Sequence, residues 1–273
     1  MADTTVYFLG TAGAGKSTLV AAYDRWCKQH GLSTVTVNLD PGAEKLPYTP
    51  DIDIRDYIRI DAIMEEHGLG PNGAQVAAAD MIALDLDTIK EELSAYRADQ
   101  VIIDTPGQVE LFLFRQSGKH IVSNLSPGNS VVACLLDPFL ARTASGFASQ
   151  LMLGANIAFR FQEPVVFLLS KADRVEPESL ETIRQWAADP EALESSVLGE
   201  EPGMDREMAA QVTRLLELLG VENHLVPVSS PNGEGLDDVY AMIQSAVGQQ
   251  EESTPEYDTF LGVDEEEPGD KLT

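Results

Sequence analysis

The fold is decided by residues 6–17, which read Val6-Tyr7-Phe8-Leu9-Gly10-Thr11-Ala12-Gly13-Ala14-Gly15-Lys16-Ser17. The apolar beginning of this stretch predicts a buried strand, and residues 16–29 suit a helix. The glycines between them let successive backbone N–H groups point at phosphate oxygens, at the positive end of the helix dipole. This arrangement is a P-loop, and it predicts that the chain binds a nucleoside triphosphate.

The P-loop residues have separate expected tasks. Lys16 is expected to reach the β- and γ-phosphates and to assist hydrolysis, and Ser17 is expected to bind Mg²⁺. The loop residues predicted to bind the substrate are Gly10, Thr11, Ala12, Gly13, Ala14, Gly15, Lys16, Ser17 and Thr18.

Composition narrows the class of protein. The chain has 273 residues and a formal net charge of −27, and this excess of acid argues against nucleic-acid binding because phosphate backbones are repelled. Acid excess with few lysines is also typical of proteins from salt-loving microbes. The absence of a long apolar run and of a signal-peptide pattern predicts a cytoplasmic chain without a membrane partner. Cys27 and Cys134 lack metal-ligand spacing and are expected in the core.

Apolar, β-branched runs alternate with helix-compatible stretches along the chain. The predicted strands are 4–9, 34–39, 100–104, 130–136, 164–169 and 224–228, and the predicted helices are 16–29, 56–67, 75–97, 109–124, 144–162, 177–187, 204–219 and 235–248. This alternation predicts an α/β P-loop NTPase fold, a mainly parallel sheet with helices on both faces. Ligands bind at the carboxyl ends of such strands, so motifs that follow strands should meet at one edge.

The predicted organisation is a single domain over residues 1–248. Two helical insertions interrupt the alternation, at about 40–99 and 174–222, and the second suits a helical hairpin. Residues 249–273 form an acidic tail that is expected to be disordered, with binding of a basic partner as the alternative.

The third predicted strand ends in Asp104-Thr105-Pro106-Gly107-Gln108-Val109-Glu110. An aspartate at this place can hold Mg²⁺, so Asp104 joins Ser17 as a predicted metal residue, and the Gly107 N–H can bind a γ-phosphate. Gln108 and Glu110 are predicted to orient the attacking water. The alternative is that both are polar residues that start the next helix.

Two later strand ends predict the base. Ser170-Lys171-Ala172-Asp173 resembles the guanine-reading element of GTPases, in which the carboxylate accepts from the guanine N1–H and amino group. Adenine lacks this donor pair, so Asp173 favours GTP over ATP, and the Lys171 stem can lie along the purine face. Ser230 falls in the short loop that completes such a site.

Asp40 ends the second predicted strand in Asp40-Pro41-Gly42. It could hold a second Mg²⁺-bound water or position the nucleophile. A simple Asp-Pro turn is an equally open interpretation.

Gly70-Pro71-Asn72 makes the combination of motifs specific. Together with the P-loop, Asn38-Leu39-Asp40-Pro41, Pro50-Asp51-Ile52-Asp53-Ile54-Arg55-Asp56, the Asp104–Glu110 motif and Ser170-Lys171-Ala172-Asp173, it resembles the GPN-loop GTPases, most like the archaeal members, from about residue 4 to 248.

That resemblance implies a homodimer. The loop of Gly70, Pro71 and Asn72 from each subunit would reach into the partner's site, where Asn72 would contact the γ-phosphate or released phosphate. It also implies hydrolysis of GTP with Gln108 and Glu110 near the water and no arginine from a separate activator. Eukaryotic relatives assist assembly of RNA polymerase II, which suggests a protein client and an assembly or switch role.

Other function classes stay open. One is a P-loop kinase or an ATP-dependent dimeric NTPase, although the arginines are scattered and Thr11 stands where related dimeric ATPases carry a lysine. Another is a GTP-switched binding protein, in which helices 109–124 and 144–162 form a client groove. The aromatic and Met side chains involved are Phe112, Phe114, Phe139, Phe147, Met152, Phe159 and Phe161, and the alternative is that they belong to the core. Ser170 also departs from the asparagine of most small GTPases.

Overall fold

The protein is described from a computed structural model. The structure describes residues 4–125, 129–200 and 225–253, with side chains up to residue 250. The predicted helix 204–219 and most of the predicted acidic tail lie outside these residues.

Seven strands form one sheet in the described part of the chain. They are β1 (Thr4–Gly10), β2 (Thr34–Asn38), β3 (Ile52–Asp53), β4 (Gln100–Asp104), β5 (Asn129–Leu136), β6 (Val165–Leu169) and β7 (Leu225–Pro227). Their order across the sheet is β3-β2-β4-β1-β5-β6-β7, and every pair is parallel. The P-loop therefore follows a central strand.

Ten α-helices accompany the sheet within the described residues. They are α1 (Lys16–Gln29), α2 (Ile60–His67), α3 (Pro71–Leu84), α4 (Leu86–Ser94), α5 (Val109–Leu113), α6 (Gln116–Leu125), α7 (Ala144–Phe161), α8 (Pro177–Ala188), α9 (Pro190–Glu200) and α10 (Leu236–Ser253). Short 3-10 turns occur at Ile54–Asp56 and Ala172–Arg174.

Each face of the sheet buries its own apolar layer. Successive side chains of a strand point to opposite faces, so Val6 and Phe8 pack with α1 and α10, while Tyr7 and Leu9 pack with helices that include α3, α6 and α7. The predicted α/β fold with helices on both faces is confirmed.

Register brings the strand ends of the site together. In the parallel pairings, Phe8 of β1 and Asn38 of β2 both lie opposite Asp104 of β4. The P-loop, Asp104 and the segment that begins with Asp40 therefore leave the sheet at the same level.

Several predicted elements were wrong in detail. The two-residue strand β3 was not predicted, and the helix predicted over 56–67 begins at Ile60, after a 3-10 turn. The helix predicted over 75–97 is two helices, α3 and α4, which meet at Asp85. The helix predicted over 109–124 is also two, α5 and α6. The short helix α9 in the second insertion was missed.

Close packing of α6 on α5 requires a glycine. A Cβ on Gly118 would lie 1.7 Å from the carbonyl oxygen of Phe112, so the start of α6 crosses the end of α5 at a distance that only glycine permits.

Within the described residues, no helix combines the length and the apolar character needed to cross a bilayer.

Candidate functional site

The P-loop joins β1 to α1 through two left-handed glycines. Gly13 has φ +77° and Gly15 has φ +98°, values that a residue with a Cβ rarely adopts. The turn is closed by a hydrogen bond from the Ala14 N–H to the Thr11 carbonyl oxygen, 3.1 Å long. Ala12 and Thr18 are exposed beside it, and Ala14 is buried beneath it.

Lys16 is the buried cation of this loop. Its ammonium group donates to the carbonyl oxygens of Gly10 at 2.8 Å and Thr11 at 3.2 Å. Burial lowers the pKa of Lys16, and the nearby carboxylates of Asp104 and two other acids oppose that shift. The charge is therefore sparsely solvated, which strengthens its attraction to an anionic phosphate.

Asp104 is a buried carboxylate at the end of β4. Its Oδ2 atom accepts a hydrogen bond from the Tyr48 hydroxyl at 3.1 Å. Its Oδ1 atom is buried and has no hydrogen-bond partner among the described residues. Burial raises the pKa of Asp104 to about 6, although the hydroxyls of Ser17 and Tyr48 favour the ionised form.

These features fit a magnesium ion. Mg²⁺ takes oxygen ligands and is usually held by one or two protein groups together with substrate phosphates and waters. The orphaned Oδ1 atom of Asp104 is such a ligand, and the Ser17 hydroxyl interacts with the same carboxyl group. Within the described chain, no group of three or more His, Cys, Asp or Glu forms a complete metal cage.

Asp40 connects two strand-end loops. Its Oδ2 atom accepts from the Gly107 N–H at 2.9 Å, and its Oδ1 atom accepts from the Gly42 N–H at 2.9 Å. The sequence predicts that the Gly107 N–H binds a γ-phosphate, and in this structure the N–H donates to the Asp40 carboxylate. Asp40 therefore does more than initiate an Asp-Pro turn.

A cleft of about 220 Å³ opens between these loops and α3. Its lining comprises Ala12, Asp40, Pro41, Gly42, Gln75, Ala79, Pro106, Gly107, Gln108 and Leu111. Gln108 donates from Nε2 to Oε1 of Gln75 at 2.9 Å. Glu110 lies in the first turn of α5, where it is exposed.

The GPN tripeptide starts a helix. Gly70 precedes α3 with extended backbone, Pro71 is the first helical residue, and Asn72 follows in the first turn. Pro71 and Asn72 are exposed. Asn72 is not among the described residues that line the cleft of its own chain, whereas Gln75, one turn further along α3, is.

The predicted base-reading residues lie at the ends of β6 and β7. Lys171 has a left-handed backbone, φ +52°, and its ammonium group is 2.8 Å from Oδ2 of Asp137. The aliphatic stem of Lys171 lies beside the P-loop, at a distance such that a Cβ on Gly15 would be 3.7 Å from Cε of Lys171. Asp173 is exposed and accepts a hydrogen bond from the Ser229 hydroxyl at 2.9 Å.

Ser170 and Ser230 flank this base side. Ser170 is buried, and its hydroxyl donates to the carbonyl oxygen of Leu136 at 3.0 Å, so it ties β6 to β5. Ser230 is half-buried and follows the fully buried Ser229.

Three residues of the site were not predicted from the sequence. Asp137 directly follows β5, so the rule that strand ends carry the site could have found it. Tyr48 and Gln75 carried no such signal, because they lie in a long loop and inside a helix.

The proposed client groove is divided between core and surface. Phe112, Phe147 and Phe161 are buried. The side chains that remain exposed are Phe114, Phe139, Met152 and Phe159, the last with 87% of its surface accessible. The alternative that these residues belong to the core is therefore correct for the first three.

Comparisons with known proteins identify the family of the chain. A family model described as "Conserved hypothetical ATP binding protein" matches residues 8–249. The chain is 30% identical over 239 residues to a GPN-loop GTPase of Pyrococcus abyssi, a match that covers 86% of this chain and 93% of the relative. It is 31% identical over 264 residues to GPN-loop GTPase 3 of Schizosaccharomyces pombe, covering 93% and 95%.

A solved structure adds the three-dimensional comparison. The crystal structure of a GTPase in apo form from Pyrococcus abyssi matches with a TM-score of 0.78 and 29% identity, over 90% of this chain and 98% of that one. The chain therefore belongs to the GPN-loop GTPases.

Proposed function

We propose that residues 1–248 act as one cytoplasmic, Mg²⁺-dependent domain that hydrolyses GTP to GDP and phosphate as a homodimer. The observation that carries the metal dependence is the orphaned, buried Oδ1 atom of Asp104 beside the P-loop. A buried carboxylate oxygen that accepts no hydrogen bond lowers the stability of the fold. A bound cation would give this oxygen a partner.

The P-loop and Lys16 hold the triphosphate in this proposal. Backbone N–H groups of the loop donate to phosphate oxygens, and the Lys16 ammonium exchanges its carbonyl partners for the β- and γ-phosphates. Ser17 and Asp104 would hold the Mg²⁺, which when bound supplies positive charge against the phosphate oxygens.

Gln108, Glu110 and Asp40 are the proposed hydrolytic residues. Gln108 and Glu110 orient the attacking water. A γ-phosphate bound at the Gly107 N–H would displace the Asp40 carboxylate from its present 2.9 Å hydrogen bond. The released carboxylate can then position the nucleophile or hold a metal-bound water.

Asp173 is the proposed base-reading residue. Its carboxylate is held by the Ser229 hydroxyl at the end of β7, with Lys171 supported by Asp137 on the other side. Replacing Asp173 with Asn should shift preference from GTP toward xanthosine triphosphate, because Asn can donate to the xanthine 2-oxo group. Unchanged GTP preference would overturn the assignment of base reading to Asp173. Asp87→Asn, at an exposed position on α4, is the matched control for loss of one charge.

The proposed homodimer places Asn72 in the partner's site. Its support is the family resemblance together with the exposure of Pro71 and Asn72 at the start of α3. Mixing Lys16→Ala subunits with Asn72→Ala subunits should restore activity, because each heterodimer keeps one intact composite site. A Lys16→Ala/Asn72→Ala chain mixed with Lys16→Ala chains is the control, since no intact site can form. If the two single variants show no rescue, the trans arrangement is wrong.

The proposed cellular role is that of a switch or assembly factor for a larger complex such as RNA polymerase. The family resemblance supports this role, and Phe114, Met152 and Phe159 are exposed apolar side chains that a protein client could contact. A pull-down with Gln108→Ala chains, loaded in parallel with GTP and with GDP, tests it. A switch requires clients that differ between the two states, and identical bound proteins would contradict it.

A further inference from the structure

We propose that Gln75 is a positioning residue for Gln108. The two side chains meet in the cleft between α3 and the loop after β4, where Nε2 of Gln108 donates to Oε1 of Gln75 at 2.9 Å. The proposal rests on the role proposed for Gln108 in hydrolysis. It adds a residue from the helix that begins with the GPN tripeptide to the site of its own subunit.

The chemistry of the amide pair gives this contact its effect. A side chain that orients water needs an acceptor oxygen, and the Gln108 amide has one acceptor and one donor group. Oε1 of Gln75 accepts a hydrogen bond from the Gln108 NH2 group. The carbonyl oxygen of Gln108 is then left to accept a hydrogen bond from a water. Gln108 is exposed, and this bond is the one side-chain hydrogen bond that the described residues give it. Without it the amide would sample several rotamers.

α3 is held firmly enough to serve as a support. Ala74, Ala78 and Ile82 bury one face of the helix. Asp80 pairs with Arg115, whose Nε atom lies 2.8 Å from Oδ1 of Asp80, and the same Oδ1 atom accepts from the Ser117 hydroxyl at 3.0 Å. Because Arg115 and Ser117 follow Gln108 in the same segment, α3 contacts this segment at two places, Gln75 and Asp80.

Gln75 also reaches the loop after β2. A Cβ on Gly42 would lie 3.5 Å from Nε2 of Gln75 and 3.3 Å from Oδ1 of Asp40. The Gln75 side chain thus lies between the two loops that carry the proposed hydrolytic residues Asp40 and Gln108. Its place on α3 is one turn from Asn72.

A double-mutant cycle tests the positioning role. The variants are Gln75→Met, Gln108→Met and both together, with Gln185→Met as the matched control at an exposed site on α8. Methionine keeps the length of glutamine and removes the amide. Loss of a neutral hydrogen bond of ordinary strength should lower kcat of Gln75→Met about fivefold. KM for GTP and the melting temperature should stay at the wild-type values.

The cycle separates this proposal from the proposed function. The double variant should match Gln108→Met alone, because Gln75 acts through Gln108. If Gln108→Met slows hydrolysis but Gln75→Met does not, or if the two effects multiply in full, the positioning role is overturned while the role of Gln108 stands. If Gln108→Met leaves kcat unchanged, both are overturned.

Discussion

Replacing Asp104 with Asn should stabilise the metal-free protein while abolishing its activity. Burial raises the pKa of Asp104 from the ordinary 3.8 to about 6, so the folded state resists ionising this group. The difference corresponds to about 3 kcal/mol of lost stability at pH 8. Asn is neutral and can still accept from the Tyr48 hydroxyl, so Asp104→Asn should recover up to about 3 kcal/mol. In a chain of this size that is a rise in Tm of about 6–12 °C.

The sign of the pH dependence follows from the raised pKa of Asp104. Between pH 3.8 and about pH 6 the folded state binds more protons at this group than the unfolded state does. The wild-type protein therefore gains stability relative to Asp104→Asn as pH falls through 6. The advantage of the variant should shrink to about half at pH 5 and vanish below pH 3.8.

Thermal unfolding in EDTA between pH 5 and pH 8 measures this effect. Asp87→Asn, on the exposed surface of α4, shows how much of any change comes from removing one negative charge. A lower Tm of Asp104→Asn at pH 8, or a gain that stays constant down to pH 5, would refute the reasoning. With Mg²⁺ and GTP the wild-type protein should have the higher Tm, because its carboxylate then binds the metal ion. Under the same conditions Asp104→Asn should lose hydrolysis by orders of magnitude.

Three further predictions concern packing, nucleotide affinity and salt. Gly118→Ala should lower the free energy of unfolding in urea by about 3 kcal/mol, because its Cβ would meet the Phe112 carbonyl oxygen. The control Gly199→Ala, at an open position on α9, should leave that free energy unchanged or raise it by about 0.5–1 kcal/mol. Asp137→Asn should weaken GTP binding about tenfold in calorimetry, since Lys171 loses the partner that holds it beside the P-loop, and unchanged affinity would contradict that role. If the charge of −27 is an adaptation to salt, the protein should unfold in dilute buffer and refold near 1 M KCl or above; full stability in dilute buffer would exclude the adaptation.

The residues that follow strands could be predicted because parallel sheets impose their position. Asp40, Asp104 and Lys171 each come within two residues of the end of an apolar run. The carboxyl ends of parallel strands share one edge whatever path the intervening loops take. The same rule applies to Asp137, although no familiar motif surrounds it.

The contacts between loops and helices could not be predicted in this way. The meeting of Gln75 with Gln108 depends on the path of the chain from β2 to α3, which no local pattern specifies. Apolar residues continue at helical spacing from Ala78 through Ile82, Leu86 and Ile89, so periodicity predicted one helix across the break at Asp85.

The charges around Lys16 give a physical reason for the proposed magnesium dependence. Asp104, Asp40 and Glu110 lie close enough to raise the pKa of Lys16 against the effect of its burial, so the phosphate end of the site is rich in carboxylates. A triphosphate brings further negative charge to the same place, and a divalent cation offsets it. The γ-phosphate is proposed to lie nearest to Asp40.

Removal of Mg²⁺ should therefore weaken GTP binding more than GDP binding. Calorimetric titration of both nucleotides, in Mg²⁺ and in EDTA, gives the ratio of their affinities. Asp40→Asn should reduce the difference between the two conditions, because it removes one of the negative charges that the metal ion offsets. A ratio that is the same with and without the metal would mean that the terminal phosphate does not approach these carboxylates, and the placement of hydrolysis at the Asp40–Gly107 loop pair would then be wrong.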